Sequence, residues 1–170
     1  MKIKIKEKKL NNWVKLIKKT IIKKDKKEIW YNFKTNDYIS IFLLRDDSKI
    51  GIVRQFRPAI NKFIWEFPAG LCDKKIKKKL IAKKEIEEET GHKVKKIIKL
   101  KSLYNDTGRV DNKVHFFFAT CAKKKQFKIE EGIKVKFITK NYLEKMIKTE
   151  NFNYNLHASL YMLVKLKNLI

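Results

Sequence analysis

The stretch that decides the fold runs from Phe63 to Gly91 and reads FIWEFPAGLCDKKIKKKLIAKKEIEEETG. Its first eight residues, FIWEFPAG, lead into a segment that we predict to be helical from about Ile76 to Thr90. Gly91 follows as the C-cap, because glycine readily adopts the left-handed backbone that ends many helices. The stretch therefore predicts one central helix with a defined end.

Segments with strand or helix character lie on both sides of this helix. No internal repeat and no Pro/Gly/Ser-rich linker separates them. We therefore expect one α/β or α+β unit, with a hairpin at the N-terminus and a second hairpin that enters the main sheet. The predicted strands are residues 13–22, 28–33, 38–44, 49–56, 93–104, 113–122 and 133–139, and the last two helices are residues 141–150 and 155–169.

Length and composition narrow the class of protein. A chain of 170 residues suffices for one compact domain. It has no run of about 18 apolar residues that would cross a membrane. Cys72 and Cys121 are too few for a disulfide framework, and residues 1–9 lack the apolar core of a secretory signal. We expect a soluble cytoplasmic protein with reduced thiols.

The net charge of +25 permits two interpretations. Lysine-rich surfaces bind phosphate backbones through counterion release. However, lysine occurs in every segment, together with abundant isoleucine and asparagine, as compositional drift in an AT-rich genome would produce. We favour drift and expect no specific nucleic-acid partner. An arginine retained against such drift can mark a site that needs a planar bidentate donor. The four arginines are Arg45, Arg54, Arg57 and Arg109.

The central helix is predicted to separate apolar and acidic residues. At 100° per residue, Ile76, Leu80 and Ile86 gather on one side. The acidic residues lie broadly opposite that side. They are Glu85, Glu88 and Glu89.

The acidic residues differ in their neighbours one turn earlier. Glu87 and Glu88 each follow a lysine by four residues, which stabilises a helix by about 0.2–0.5 kcal/mol per pair. Glu89 instead follows Glu85, a like-charge pair at the negative end of the helix dipole. The pair is either part of a solvated acidic face or a site for a divalent cation such as Mg²⁺, which prefers hard oxygen ligands.

Residues Gly70 to His92 resemble the Nudix box, which reads G, five residues, E, seven residues, R-E-U-x-E-E-x-G-U, where U is bulky and apolar. The spacing is intact. Ile76 stands for the first Glu, Lys84 for Arg, and His92 for the last apolar residue. The resemblance implies a Nudix α/β/α sandwich with a mixed sheet and an N-terminal β-hairpin extension. It also implies catalytic carboxylates and a bound metal. The residues that match the motif are Gly70, Glu85, Ile86, Glu88, Glu89 and Gly91.

Two further motifs are similar to those of the ADP-ribose or ADP-sugar pyrophosphatase branch of this family. They are RQFRP, residues 54–58, and WEFPAG, residues 65–70. The resemblance implies that Arg57 contacts the substrate phosphates and that the Ala69 carbonyl joins Glu85 and Glu89 as a metal ligand. It also implies that Glu66 assists the metal. Alternatively, Glu66 caps a helix or forms a salt bridge in a dimer.

The segment from Asn11 to Trp30, NNWVKLIKKTIIKKDKKEIW, resembles a hairpin of this branch in which two tryptophans sandwich adenine across a dimer. Trp13 and Trp30 match those tryptophans. The resemblance implies a homodimer, with residues 1–36 as the hairpin and dimerisation segment and residues 37–170 as the Nudix hydrolase domain. In the alternative interpretation, both rings pack on an apolar surface.

Two loops after the helix complete the predicted site. In IEEGIKV, residues 129–135, Glu131 matches the acidic loop that supplies a base or a ligand in this branch, although an ordinary acidic turn has the same composition. The sequence from Asp106 to Gly108, DTG, stands where the branch usually has S-P-G, so the distal sugar of the substrate stays open. From this loop Arg109 either contacts a terminal sugar or phosphate, or pairs with a neighbouring aspartate.

The resemblance implies hydrolysis of the pyrophosphate bond of ADP-ribose or a related ADP-sugar, giving AMP and a sugar phosphate. Mg²⁺ is the implied cofactor, with Mn²⁺ as an alternative, and the implied partner is a nucleotide-sugar substrate. Two other hypotheses stay open. One is a Nudix hydrolase of another nucleoside diphosphate sugar or a dinucleotide. The other is a non-catalytic Nudix-fold protein that binds nucleic acid.

Overall fold

The structure is a computed structural model that describes residues 1–24, 26–73 and 76–170. Within these residues the chain forms ten strands and three α-helices. The strands are β1 (Lys2–Lys9), β2 (Val14–Lys23), β3 (Lys26–Thr35), β4 (Tyr38–Arg45), β5 (Ile50–Arg57), β6 (Lys62–Glu66), β7 (Ala69–Leu71), β8 (Val94–Asp106), β9 (Val110–Cys121) and β10 (Lys134–Ile138). The helices are α1 (Lys78–Thr90), α2 (Lys140–Lys148) and α3 (Asn155–Leu166).

The described strands join one mixed sheet, in the order β1-β2-β3-β9-β4-β5-β10. β6 pairs with β5, β7 with β4, and β8 with β9. The central strands β4 and β9 are parallel, whereas β5 is antiparallel to β4 and to β10. The predicted α/β fold with a mixed sheet is confirmed.

Helices cover both faces of the central sheet, because its strands alternate between two cores. On β4, Ile39, Ile41 and Leu43 face α1, where they pack with Ile86. Phe42 points the other way, into a core that α2 and α3 complete. Central strands buried on both faces are apolar at successive positions, which explains the continuous hydrophobic run of β4.

The N-terminal segment contains one strand more than the predicted hairpin. β2 and β3 pair antiparallel as expected, and β1 pairs with β2 along its whole length. Every residue of β1 is exposed. Its alternation of lysine and isoleucine has the period of a strand, but it lacks the buried apolar run by which the other strands were predicted. β3 joins the main sheet in parallel with β9, at Phe33 and Lys34.

The predicted apolar face of α1 is confirmed at Ile86 and wrong at Ile76 and Leu80. Ile76 precedes the helix and is 47% exposed, and Leu80 is 54% exposed. The face that packs on the sheet is one residue further along the chain, and it includes a carboxylate. Its buried residues are Ile81, Ala82, Ile86, Glu89 and Thr90. The helix ends as predicted, since Gly91 has a φ of 71° and its N–H bonds to the Glu87 carbonyl.

His157 connects α3 to the segment that precedes α1. The Phe67 backbone N–H donates a hydrogen bond of 2.7 Å to Nδ1 of His157, which is fully buried. Burial lowers the pKa of His157 to about 3, and the positive charge of Arg57 lowers it further. The imidazole is therefore neutral, because an Nδ1 that accepts this bond has no proton of its own.

We expect this buried histidine to make folding stability depend on pH. The unfolded chain binds a proton below its histidine pKa of about 6.5, whereas the folded chain does not until pH reaches about 3. Stability is thus fully present above the unfolded pKa and falls as the pH drops, by about 2 kcal/mol between pH 7.5 and 5.0. Urea unfolding at both pH values measures this loss. In His157→Gln the loss should be smaller by that amount, and an equal loss in both proteins would contradict the assignment.

Candidate active site

Glu89 is a buried carboxylate of the candidate site. It is 4% exposed on the inward face of α1. The Ala69 N–H donates to its Oε2 at 2.9 Å, and Gln55 Nε2 donates to its Oε1 at 3.4 Å. Burial raises the pKa of Glu89 well above its ordinary value, and the charges of Glu85 and Glu66 add to the shift, although the Ala69 hydrogen bond opposes it. A cation near this carboxylate would favour its ionised form.

Glu85 lies one turn earlier on α1 and is half-buried. Burial raises its pKa to about 7, and the charge of Glu88 raises it further. Lys84 opposes this shift, but its ammonium pairs with Glu88 at 3.0 Å rather than with Glu85. The carboxylate of Glu85 therefore has no ion-pair partner among the described residues. The sequence predicted this isolation from the i,i+4 spacing.

Glu66 and Arg57 form an ion pair beside the two helix carboxylates. Arg57 Nη2 lies 2.7 Å from Oε1 of Glu66, which is fully buried at the end of β6. The Oε2 atom of Glu66 has no hydrogen-bond partner among the described residues. Burial raises the pKa of Glu66, and the guanidinium of Arg57 opposes that shift. This intrachain pair differs from the helix cap and the dimer salt bridge, the alternatives considered for Glu66.

The loop between β9 and β10 is attached to the C-terminal end of α1. The backbone N–H groups of Gln126 and Phe127 donate to the Gly91 carbonyl, and that of Glu130 donates to the Glu88 carbonyl at 2.9 Å. The charge of Glu130 contributes to the raised pKa of Glu85. Glu131 is exposed, and it lines a shallow cavity of about 390 Å³ with Glu88 and Glu130. Glu130 is therefore a candidate, together with Glu131, for the base or ligand that this loop supplies. The spacing of the acidic loop alone did not indicate Glu130.

Trp13 lies directly before β2 and Trp30 lies on β3, and both are exposed, Trp13 by 58% and Trp30 by 54%. Trp30 and Arg109 line one cavity of about 410 Å³, between the β2–β3 hairpin and the β8–β9 turn. Trp13 does not line this cavity. The structure therefore brings two of the four predicted substrate-binding residues together, Trp30 with Arg109, and leaves Trp13 apart from them.

The β8–β9 turn has a defined geometry at Asp106. Its Oδ1 accepts hydrogen bonds from the backbone N–H groups of Gly108 and Arg109, at 2.7 and 3.0 Å. Among the described residues, the Arg109 guanidinium forms no ion pair with either neighbouring aspartate. The side chain is exposed at the edge of the cavity, where it is available to a ligand.

The two cysteines and two of the histidines also carry titratable side chains, and their contacts are part of the packing of the fold. Burial raises the pKa of Cys72 to about 11 and that of Cys121 to about 12, so both thiols stay protonated at neutral pH. His115 bonds to Ser102 and Asp37, and His92 bonds to the Thr90 carbonyl. Among the described residues, none of these side chains forms a hydrogen bond or ion pair with a carboxylate of α1.

Comparisons with known proteins identify the family and relatives of this chain. The NUDIX domain profile matches residues 34–158. The chain is similar to an ADP-ribose pyrophosphatase of Bacillus subtilis (strain 168), with 32% identity over 105 residues, which are 59% of this chain and 57% of that protein. It is also similar to a methanol dehydrogenase activator of Bacillus methanolicus, with 31% identity over 88 residues, 52% of this chain and 48% of that protein. The chain thus spans about half the length of the curated relatives it matches.

A solved structure shares the whole architecture. The crystal structure of an ADP compounds hydrolase matches with a TM-score of 0.81 over 97% of this chain and 93% of that chain. The sequence identity of 13% means that this match shows the fold alone. Separately, no helix among the described residues is both long and apolar enough to cross a bilayer. The family profile covers 125 residues, from 34 to 158, and coincides with a Nudix-type acidic helix. The chain belongs to the Nudix family.

Proposed function

We propose that this protein hydrolyses the pyrophosphate bond of ADP-ribose or a related ADP-sugar, giving AMP and a sugar phosphate. The observation that carries the proposal is the cluster of Glu66, Glu85 and Glu89 beside Arg57. A buried acidic cluster with one guanidinium suits a diphosphate that arrives with cations, because each charge then has a partner. The likeness to an ADP-ribose pyrophosphatase supports the same substrate class.

The residues of the site fit a divalent metal ion, which Nudix proteins generally use. Glu85 and Glu89 are carboxylates whose pKa values are raised because they share a poorly solvated site. A cation between them would offset both desolvation and repulsion. Carboxylate and carbonyl oxygens are the hard ligands that Mg²⁺ and Mn²⁺ prefer. Among the described residues, no three His, Cys, Asp or Glu side chains form a metal group. We therefore assign the Ala69 carbonyl as a further ligand, with Glu66 in support.

The backbone beside Glu85 is shaped to leave room for its carboxylate. A Cβ added at Gly70 would lie 2.3 Å from both Cδ and Oε1 of Glu85. A larger residue at this position would force the Glu85 carboxylate away from the start of β7. This observation gives the spacing of the motif a physical cause in this chain, because Gly70 leaves the space in which Glu85 lies.

When bound, the metal would neutralise the diphosphate and lower the pKa of the attacking water. Arg57 steadies the negative charge that develops on the phosphates, and Glu66 holds the guanidinium in place through the 2.7 Å ion pair. Glu131, or the neighbouring Glu130 or Glu88, accepts the proton of the water. The loop that carries Glu130 and Glu131 is bonded to α1, which keeps these candidates near the helix.

The adenine is bound by Trp13 and Trp30 in this proposal. Aromatic rings stack on the faces of a purine without needing hydrogen bonds. Both rings are exposed, and one chain does not bring them into one cavity. A homodimer, in which Trp13 of one subunit approaches Trp30 of the other, would complete the pocket. We assign residues 1–36 to this dimerisation role and residues 37–170 to the hydrolase domain.

The distal sugar gives rise to a second candidate function. Thr107 occupies the position of the proline that is typical of ADP-ribose pyrophosphatases, so another nucleoside diphosphate sugar is the competing substrate. Product analysis with purified protein, a panel of nucleotide sugars and either Mg²⁺ or Mn²⁺ separates the two. If ADP-ribose is hydrolysed fastest, with release of AMP, the result supports the first function. If a diphosphate sugar of another nucleoside is hydrolysed faster, the result supports the second.

We predict that Glu89→Gln lowers hydrolysis about 10²–10³-fold, the usual effect of losing one charge-stabilising interaction in a catalytic site. Folding should be kept, because a glutamine oxygen can still accept the Ala69 N–H bond. Glu87→Gln is the matched control. Glu87 is on the same helix and lies 3.9 Å from Lys83, away from the cluster. Steady-state rates and thermal unfolding measure both effects. Activity of Glu89→Gln within about threefold of wild type would sink the metal assignment.

We predict that Gly70→Ala destabilises the fold by about 1 kcal/mol, the lower end of the cost of overpacking, because the new methyl group displaces the Glu85 carboxylate at the end of a flexible side chain. A double-mutant cycle tests the cause. In a Glu85→Ala background the carboxylate is gone, so adding Gly70→Ala should cost much less. Urea unfolding of the four proteins gives the coupling energy. An equal cost in both backgrounds would show that the requirement for glycine comes from the backbone instead.

We predict that Trp13→Ala and Trp30→Ala each raise the KM for ADP-ribose roughly 5-fold to 150-fold, the range for losing one stacking ring. The kcat should change much less, since the adenine lies far from the bond that is cut. Mixing the two variants should restore some activity at low substrate if each pocket takes one ring from each subunit. An unchanged KM in both folded variants would mean that the rings only pack.

A further inference from the structure

The outward face of the N-terminal sheet has a chemistry that the proposed hydrolase reaction does not use. We define the basic sheet face as the alternate side chains of β1 to β3 that share a side with Lys4: even positions on β1 and β2 and odd positions on β3. Strand pairing places these residues opposite one another, as in the rows Lys4–Thr20 and Thr20–Ile29. The lysines of this face are Lys2, Lys4, Lys6, Lys8, Lys18 and Lys27.

Side chains of the basic sheet face lie next to one another, as the pairing of the strands requires. A shallow concavity of about 400 Å³ is lined by four lysines around two isoleucines, namely Lys4, Lys6, Lys18, Lys27, Ile22 and Ile29. The Lys18 ammonium lies 5.6 Å from the centre of the Tyr31 ring. Basic and aromatic side chains therefore stand side by side on one surface.

The charge of this face is not balanced. Among the described residues it has six lysines and no acidic residue, whereas the opposite face of the same strands carries six lysines together with Glu7 and Glu28. Glu7 pairs with Lys15 at 3.0 Å on that opposite face. On the basic sheet face, Lys6 and Lys18 are directly opposite across the strands, a like-charge pair that costs stability. An anionic ligand would remove this cost.

We propose that the basic sheet face binds single-stranded nucleic acid, without sequence preference, through its phosphodiester backbone. Successive lysines on β1 are two residues apart and therefore repeat about every 6.8 Å, in a row that follows an extended polyanion. Tyr31 is 55% exposed and Phe33 43% exposed, so their rings are accessible to unpaired bases. A duplex would offer the phosphates but keep its bases stacked inside.

The other partners of a basic surface fit less well. A second copy of this chain docked face to face on this surface would bring lysine against lysine. An anionic membrane attracts lysines, but binding by insertion needs a continuous apolar side. Here Ile22 and Ile29 share their concavity with four lysines and Thr20.

Fluorescence anisotropy with a labelled oligo(dT) of about 20 nucleotides tests the proposal, at salt concentrations between about 50 and 200 mM. Lys4→Glu with Lys6→Glu changes the face. Lys9→Glu with Lys26→Glu is the control, because it makes the same change of charge on the opposite face of the same strands. The face variant should bind at least about tenfold more weakly than the control, and the slope of log K against log salt should be shallower by about 1.4, two single-strand phosphate contacts.

One further variant separates the contribution of base contacts from that of phosphate contacts. Tyr31→Ala should weaken oligo(dT) binding roughly 5-fold to 150-fold while the salt slope stays unchanged, since stacking releases no counterions. Far-UV circular dichroism of the Lys4→Glu, Lys6→Glu variant should match that of wild type, which shows that the variant is folded.

Three results would overturn the proposal. One is equal loss of binding in the face and control variants, which means that only total charge matters. Another is binding of phosphatidylserine vesicles, but not of oligo(dT), that depends on the face lysines. The third is a change of oligomeric state in the face variant alone, measured by light scattering, because the face would then be a contact between subunits.

Discussion

The structure depends on a carboxylate that points into the protein. Glu89 occupies the inward face of α1, where an apolar side chain would ordinarily pack, and the Ala69 N–H holds it in place. Removing this carboxylate from water costs free energy, which appears as its raised pKa. The segment from Glu66 to Gly70 must therefore lie against the helix in one register, because that register supplies the hydrogen bond.

The neighbouring contacts hold the segment from Glu66 to Gly70 in the same register against the helix. His157 accepts the Phe67 N–H from the opposite face of the sheet, so α3 and α1 both constrain this short segment. Arg57 pairs with Glu66 on one side of the segment, and Gly70 leaves space for Glu85 on the other. The site is thus held from both layers of helices.

Side chains alternate along the N-terminal strands, so the two faces of this sheet have different surfaces. Trp30 lies on the side of the sheet that faces the β8–β9 turn and lines the cavity with Arg109. The ring of its neighbour Tyr31 lies beside Lys18, and Tyr31 also lines that cavity. Because successive side chains point to opposite faces, β3 contributes side chains both to the cavity and to the basic sheet face. The lysines that composition attributes to drift are, on this face, an ordered arrangement.

The sequence by itself determined the elements whose signals are local. The strand runs, the helix that ends at Gly91 and the spacing of the acidic motif all follow from periodicity and from neighbours within a few residues, and so does the unpaired Glu85. Tertiary structure decided which side of α1 is buried, since that depends on the Ala69 N–H, which lies 20 positions away in sequence. It also decided the bond between His157 and Phe67, 90 positions apart, and the pairing of β1 with β2 that creates the basic sheet face. The hydrogen-bond partner of a buried polar group is set by the folded chain, and no local pattern of residues predicts it.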